Sequence, residues 1–449
     1  MSSFDVLVRG GHVVRPTGVE QADLAIADGV IVEIEPELTG TAPLEIDATG
    51  LHVLPGVVDP HVHMNDPGRD EWEGFPSGTA AFAAGGGTCL FDMPLNSSPP
   101  TLDGRSFDLK LEAAEGRALV DFCLWGGLVP GDVDRLDELA ERGVVGFKAF
   151  MCPSGIDDFE ASDDGTLLEG MRRAAKLGLP VAVHAEEAAM TGRLTERALA
   201  EGHRGMRDYL SSRPVAAELQ AVARAIAMAQ ETGCSLHVVH LSTGAAVGLV
   251  TAARSRGVDV TCETCPHYLV LSDEDAEQLG SLAKCAPPLR PRAEVEGLWR
   301  ELIAGNVPIV ASDHSPAPLE LKQGSDAFAT WGGISGCQTL RGTLLAESAK
   351  RGVCLTSVAS LTATAAAARF SLPGKGSLEP GNDADLALVD LSFEDPLAAS
   401  DLLYRHPHSP FVGRSLRGRM MRTLVRGRTV FDDERVTVEA PHGCLVRPR

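Results

Sequence analysis

Residues 56–63 read Gly-Val-Val-Asp-Pro-His-Val-His, a short apolar run that ends in ionisable groups. Its two histidines are two apart, the side-chain period of a β-strand, so both face one side. Runs of the same kind recur at 88–93, 121–128, 144–150, 180–186, 235–241, 259–265 and 308–314. Between them lie stretches of helical periodicity, among them 133–142, 167–177, 216–232 and 245–256. Eight strand-like runs alternating with helices predict an α/β fold, a (β/α)8 barrel of the TIM type, whose functional groups gather where the strands end. A doubly wound open sheet is the alternative, but its dinucleotide fingerprint is missing. Gly85-Gly86-Gly87 precedes a strand instead of following one.

Outward from this middle both ends read as β. Residues 4–14 form one extended run, and 23–35 form two, turned at Asp28-Gly29, a common hairpin dipeptide. Residues 384–389, 422–425 and 429–431 are short apolar strands, with Gly427 in the turn between the last two. The two ends therefore predict one small composite β-sandwich domain, from 1–54 and 377–449, around a barrel over 55–376. The Ala-rich residues 362–368 read as an ordinary helix.

The chain has 449 residues, enough to bury a large core without disulfides. Its ten cysteines follow no framework spacing and read as reduced cytoplasmic thiols. Lys plus Arg total 40 against 62 Asp plus Glu, a formal charge of -22. Such a surface repels phosphate backbones and anionic lipids, which argues against nucleic-acid or membrane partners. The start, MSSFDVLVRGGHVV, lacks a signal peptide's basic and apolar regions. The expectation is a cytoplasmic enzyme with a small-molecule substrate.

The chemistry is suggested by where ionisable residues fall. Asp59, His61 and His63 close the first strand, Lys148 lies near the end of the fourth, and His184, His240 and Asp313 end the fifth, sixth and eighth. All would meet at one barrel mouth. Two imidazoles on one strand face suit a shared metal ion; a lone His-x-His is also a common core pair, so the joint placement carries the argument. Enclosure disfavours the charged form of Lys148. A neutral amine there adds CO2 to give a carbamate; a structural ion pair or a Schiff base are the other readings. His237 and His240 differ in parity, so one alone is expected to face inward, and His240 is nearer the exit. His237 is then packed outside. Cys262 and Cys265 read as two thiols on a strand, His267 as structural, and His314 as a support or substrate contact. His406 and His408 read as surface or interface residues of the terminal domain, and the acidic residues 157–164 as a solvated loop without EF-hand spacing.

The order His61-x-His63, Lys148, His184, His240, Asp313 resembles the binuclear amidohydrolase superfamily, in its cyclic-amide hydrolase branch. The resemblance spans nearly the whole chain and includes Gly381-Asn-Asp-Ala-Asp385. Dihydroorotases carry Arg two residues after the second His and Met-Pro-Asn-Thr after strand two; here stand Asn65 and Met93-Pro-Leu-Asn96-Ser97. Absence of that Arg argues against an anionic ring. Hydantoinases place a Tyr just past the strand-four lysine, where this chain runs Phe150-Met-Cys152-Pro-Ser154-Gly155. With Glu263-Thr-Cys-Pro-His-Tyr268, Lys284-Cys285-Ala-Pro-Pro288, Ser312-Asp-His-Ser-Pro316, Trp331-Gly-Gly-Ile334 and the segment 404–413, the motifs are similar to the allantoinases.

The resemblance implies opening of the hydantoin ring of allantoin to allantoate in purine catabolism. It implies one divalent ion on His61, His63 and Asp313 and a second on His184 and His240. Lys148, carbamylated by CO2 to N6-carboxylysine, would bridge them. Zinc is the first expectation, with manganese or cobalt as alternatives. A hydroxide between the ions would attack, with Asp313 as general base and acid. Asn96, Cys285 and Ser315 are the implied substrate contacts, and a homotetramer the implied assembly. Another cyclic-amide hydrolase (a hydantoinase, dihydropyrimidinase or dihydroorotase) is the alternative, and a non-catalytic scaffold the remote one.

Overall fold

Each of the apolar runs becomes a parallel strand. In the computed structural model, which describes residues 4–432, 435–436 and 441–449, the barrel strands are Val57–Val62, Gly87–Asp92, Asp121–Leu124 (resuming at Gly126–Gly127), Phe147–Phe150, Val181–His184, Leu236–Val238, Val260–Thr264 and Ile309–Val310. Each pairs with the next in chain order. The ring closes through a parallel bridge from Val62 to His314 and through the His63 amide, which donates to the His314 carbonyl at 2.8 Å. The Asp59 carboxylate locks the same seam by accepting from the Ser312 amide at 3.1 and 3.2 Å.

The outer faces of the strands (Phe147, Val181, Leu236, Val260) join the helices in one large apolar core. Inside, a separate aromatic cluster closes the bottom of the barrel: Phe370 meets Phe91 at 5.1 Å and Trp125 at 5.3 Å, edge to face. Trp125 also donates its indole N–H to the Pro60 carbonyl at 3.0 Å. Burying each such ring contributes roughly 1.5–3 kcal/mol, and together they make the interior a floor beneath the mouth. Phe370 follows a helical stretch that departs from the sequence expectation. Residues 362–368 straddle a π turn, Ser360–Thr364, set between Leu355–Ala359 and Ala365–Arg369. The Thr362 hydroxyl donates back to the Val358 carbonyl at 2.8 Å, and composition alone gives no sign of such a turn.

The terminal strands of the described residues form one nine-stranded sheet, eight of them in a single hydrogen-bonded path and Leu44–Asp47 branching from it. Its two halves meet where His52–Pro55 pairs antiparallel with Leu386–Pro396. A bulge between Val8 and Gly11, with Gly10 at φ +67°, divides strand Val6–Arg15. Its first half pairs with Leu44–Asp47 and its second with His52–Pro55. Asp28 and Gly29 (φ 51° and 77°) both lie in the left-handed region, as a type I′ hairpin requires, and Arg426 and Gly427 (φ 44° and 73°) repeat the turn. No helix of the described residues is long and apolar enough to cross a membrane.

Candidate metal centre and active site

The structure brings all six residues marked by the sequence to one mouth. His61 Nε2 and His63 Nε2 stand 3.3 and 3.5 Å from Asp313 Oδ1. His184 Nδ1 faces His240 Nε2 at 3.1 Å, and the His61 and His240 rings adjoin at 5.3 Å. Lys148 is buried between these groups, and its Nζ has no hydrogen-bond partner among the described residues. Burial pushes the amine down to about 8, against the attraction of Asp313 and Glu263. These spacings fit metal ions. A tetrahedral ion with bonds of about 2.0–2.1 Å sets neighbouring ligand atoms roughly 3.3 Å apart. An unpartnered buried amine costs about 1–3 kcal/mol, which a group bonding at Nζ would offset.

Supporting carboxylates decide which ring nitrogens face inward. His61 Nδ1 lies 2.5 Å from Glu263 Oε1, leaving Nε2 toward Asp313. His184 Nε2 lies 2.9 Å from Glu186 Oε2, leaving Nδ1 toward His240. This carboxylate–imidazole pairing is how metal-binding histidines are usually oriented. Glu186 is itself clamped by Arg213. Burial would raise its carboxyl, but Arg213 and the His184 hydrogen bond outweigh that and hold it down at about 2. Neither Glu186, Glu263 nor Arg213 was marked as functional from sequence, although Glu263 opens one of the quoted motifs. Each imidazole's second nitrogen needs a partner, and that requirement was the available signal.

Parity misled the reading of His237. It shares its register row with Lys148, Ala182 and Thr261, so it faces the interior and not the helices. Its Nε2 lies 3.0 Å from Glu263 Oε2, and its ring meets Phe370 at 5.3 Å. His240 also points inward because the strand has ended at Val238 and its φ is +39°, which cancels the alternation. Asp313 (φ 45°), Asn65 (φ 63°) and Asn96 (φ 69°) are left-handed as well. Four of the seven described non-glycine residues with positive φ thus sit around this mouth, where strained backbone tends to collect at functional sites.

A cavity of about 480 Å³ opens over these groups, and Asn96, Cys285 and Ser315 all line it. Tyr209, Arg213, Lys284 and Trp331 line it too and were not marked. Lys284 donates to the Thr330 carbonyl, and burial pushes its amine down to about 8. Asn65 is turned elsewhere, its amide donating to the Pro316 carbonyl at 3.2 Å. His314 Nδ1 accepts from the Gly336 amide at 3.1 Å, which leaves Nε2 facing Glu73 at 3.7 Å. His267 is buried beside Asp313, with neither ring nitrogen partnered among the described residues. Cys262 and Cys265 are buried free thiols. His406 and His408 bond the Glu71 and Ala317 carbonyls at 2.9 and 2.8 Å, tying the terminal segment onto the barrel mouth.

The Amidohydrolase family pattern matches residues 52–430. An allantoinase of Rubrobacter xylanophilus is 61% identical over 100% of this chain and 99% of its own. One from Solibacter usitatus is 52% identical over 99% of this chain and 97% of its own. Among solved structures, the L-hydantoinase (dihydropyrimidinase) of Arthrobacter aurescens superposes with a TM-score of 0.96 at 35% identity, covering 99% of this chain and 100% of that one.

Proposed function

The chain belongs to the amidohydrolase family, a metal-dependent group of hydrolases, and from that premise we propose that it is an allantoinase, opening the hydantoin ring of allantoin to give allantoate. The observation that carries this is its likeness, along its full length, to relatives named allantoinases. The hydantoinase fold likeness is equally complete but rests on far lower identity.

His61, His63 and Asp313 would hold one divalent ion, His184 and His240 the other, and Lys148, carbamylated by CO2, would lie between them. Zinc suits this imidazole and carboxylate set, as do manganese and cobalt. Such ions lower the pKa of water toward neutrality and polarise an amide carbonyl. In the reaction a water oxygen adds to the ring carbonyl carbon, the ring C–N bond breaks, and the nitrogen leaves protonated. Asp313, at the cavity edge, takes the proton from water and returns it to that nitrogen. Asn96, Ser315 and Cys285 line the wall against which the ring and its ureido arm would rest. Glu263 and Glu186 keep the imidazoles in the tautomer that turns a lone pair inward. We further take residues 1–54 with 377–449 as one domain and 55–376 as the other, in a cytoplasmic homotetramer.

The deciding assay sets allantoin, hydantoin and dihydroorotate side by side with protein supplied with bicarbonate and a divalent metal. Allantoin opening dominates and a chelator abolishes it. If another ring opens while allantoin stays intact, the substrate reading fails and the metal chemistry survives. A full-length protein retaining less than one ion per chain and opening none of the rings would be a scaffold.

A further inference from the structure

Two cations share one aromatic ring in the wall of the cavity over the metal centre. The Arg213 guanidinium lies 5.6 Å from the centre of the Tyr209 ring and the Lys284 ammonium 4.8 Å from it, and all three residues line the cavity. Arg213 is committed to the Glu186 carboxylate. Lys284 has no such commitment. It is 7% exposed, and among the described residues its ammonium donates to one acceptor, the Thr330 carbonyl, and pairs with no carboxylate. An ammonium carries three N–H donors, so two are left over. Lys322, held against the same loop, makes the contrast. Its ammonium donates to the carbonyls of Ser281, Trp331 and Gly333, and it is not part of the cavity lining.

Lys284 is also fixed in place. Its carbonyl accepts from the Gly333 amide at 2.8 Å, and the Tyr209 hydroxyl donates to the adjoining Cys285 carbonyl at 3.0 Å. A preorganised ammonium with spare donors in a cavity wall calls for an oxygen acceptor on the ligand. Beyond its ring, allantoin offers one, the urea carbonyl of the arm on ring carbon 5, where hydantoin has only hydrogen. We propose that Lys284 is a specificity-determining residue of this site and donates to the carbonyl of that ureido arm, an inference that rests on the allantoinase reading.

The test compares kcat/KM for allantoin and hydantoin in wild type, Lys284→Met and Lys284→Arg, all metal-loaded and checked for folding by thermal melting. Lys284→Met lowers the allantoin-to-hydantoin ratio by roughly 10–100-fold, as expected for one hydrogen bond to a charged group, and Lys284→Arg recovers part of it. Where hydantoin opens too slowly to follow, its inhibition constant against allantoin takes the place of its kcat/KM and stays the same while the allantoin value falls. If Lys284→Met does not fold, Lys284→Gln, which keeps a donor for Thr330, carries the same comparison. Equal losses with both rings mean that Lys284 only holds the Thr330 carbonyl, and no loss with either means that it does not meet the substrate; both overturn the proposal. So does a loss confined to dihydroorotate, since the ammonium would then serve a carboxylate. A wild type that opens hydantoin as readily as allantoin refutes the allantoinase reading itself, and that result is in hand before any variant is compared.

Discussion

Glu263 holds two imidazoles at once, His61 at 2.5 Å and His237 at 3.0 Å, and so couples a ligand candidate at the mouth to the barrel floor. Glu263→Gln keeps the shape but replaces a two-fold acceptor with an amide that must donate on one side. It should weaken metal binding by roughly 10–100-fold, measured by competition with a metal buffer, while leaving the fold intact. Unchanged affinity would mean that Glu263 is a packing residue. Lys148 invites a harsher change. Lys148→Ala should lose both ions by elemental analysis and lose activity, with partial rescue by small carboxylic acids that replace the carbamate. Full activity in this variant would remove Lys148 from the centre.

At the scale of elements, the barrel floor is one aromatic contact set delivered by the turn after Ala365–Arg369. Phe370 touches Phe91, Trp125 and His237. Phe370→Ala should cost about 3–5 kcal/mol by denaturant unfolding. It should also reduce kcat, because His237 loses the ring that holds it under Glu263. A stability loss with kcat unchanged would separate the floor from the site. The hairpins behave as local chemistry demands. Gly427 sits in the left-handed region (φ 73°), and its Cβ would come within 2.9 Å of Ile26, so Gly427→Val should destabilise the terminal sheet while Gly248→Ala, with open space around it, should not.

Across the whole molecule, Lys375 is the buried joint. Its Nζ reaches Asp121 at 2.6 Å at the start of the third barrel strand and Asp385 at 2.8 Å at the edge of the terminal sheet, and Arg426 binds Asp121 from the sheet side. Lys375→Met strands these carboxylates and should cost about 3–5 kcal/mol. Burial raises the Asp121 carboxyl, but Lys375 and Arg426 outweigh it and lower it. Its contribution is therefore present above the unfolded pKa and lost as pH falls through the lowered one, below about pH 4. A pH series of Tm in wild type and Lys375→Met should converge there. The sequence by itself determined the barrel, because strand and helix periods and the residues closing each run are local properties of the chain. It likewise marked His61, His63, Lys148, His184, His240 and Asp313 as neighbours, since a barrel sends every strand end to one mouth. Only the tertiary structure decided the inward turn of His237, the carboxylates that orient His61 and His184 and the return of residues 404–408 to the barrel mouth. Each of these depends on where alternation stops at a positive φ, or on which side chains meet across a long loop, and neither leaves a period in the sequence.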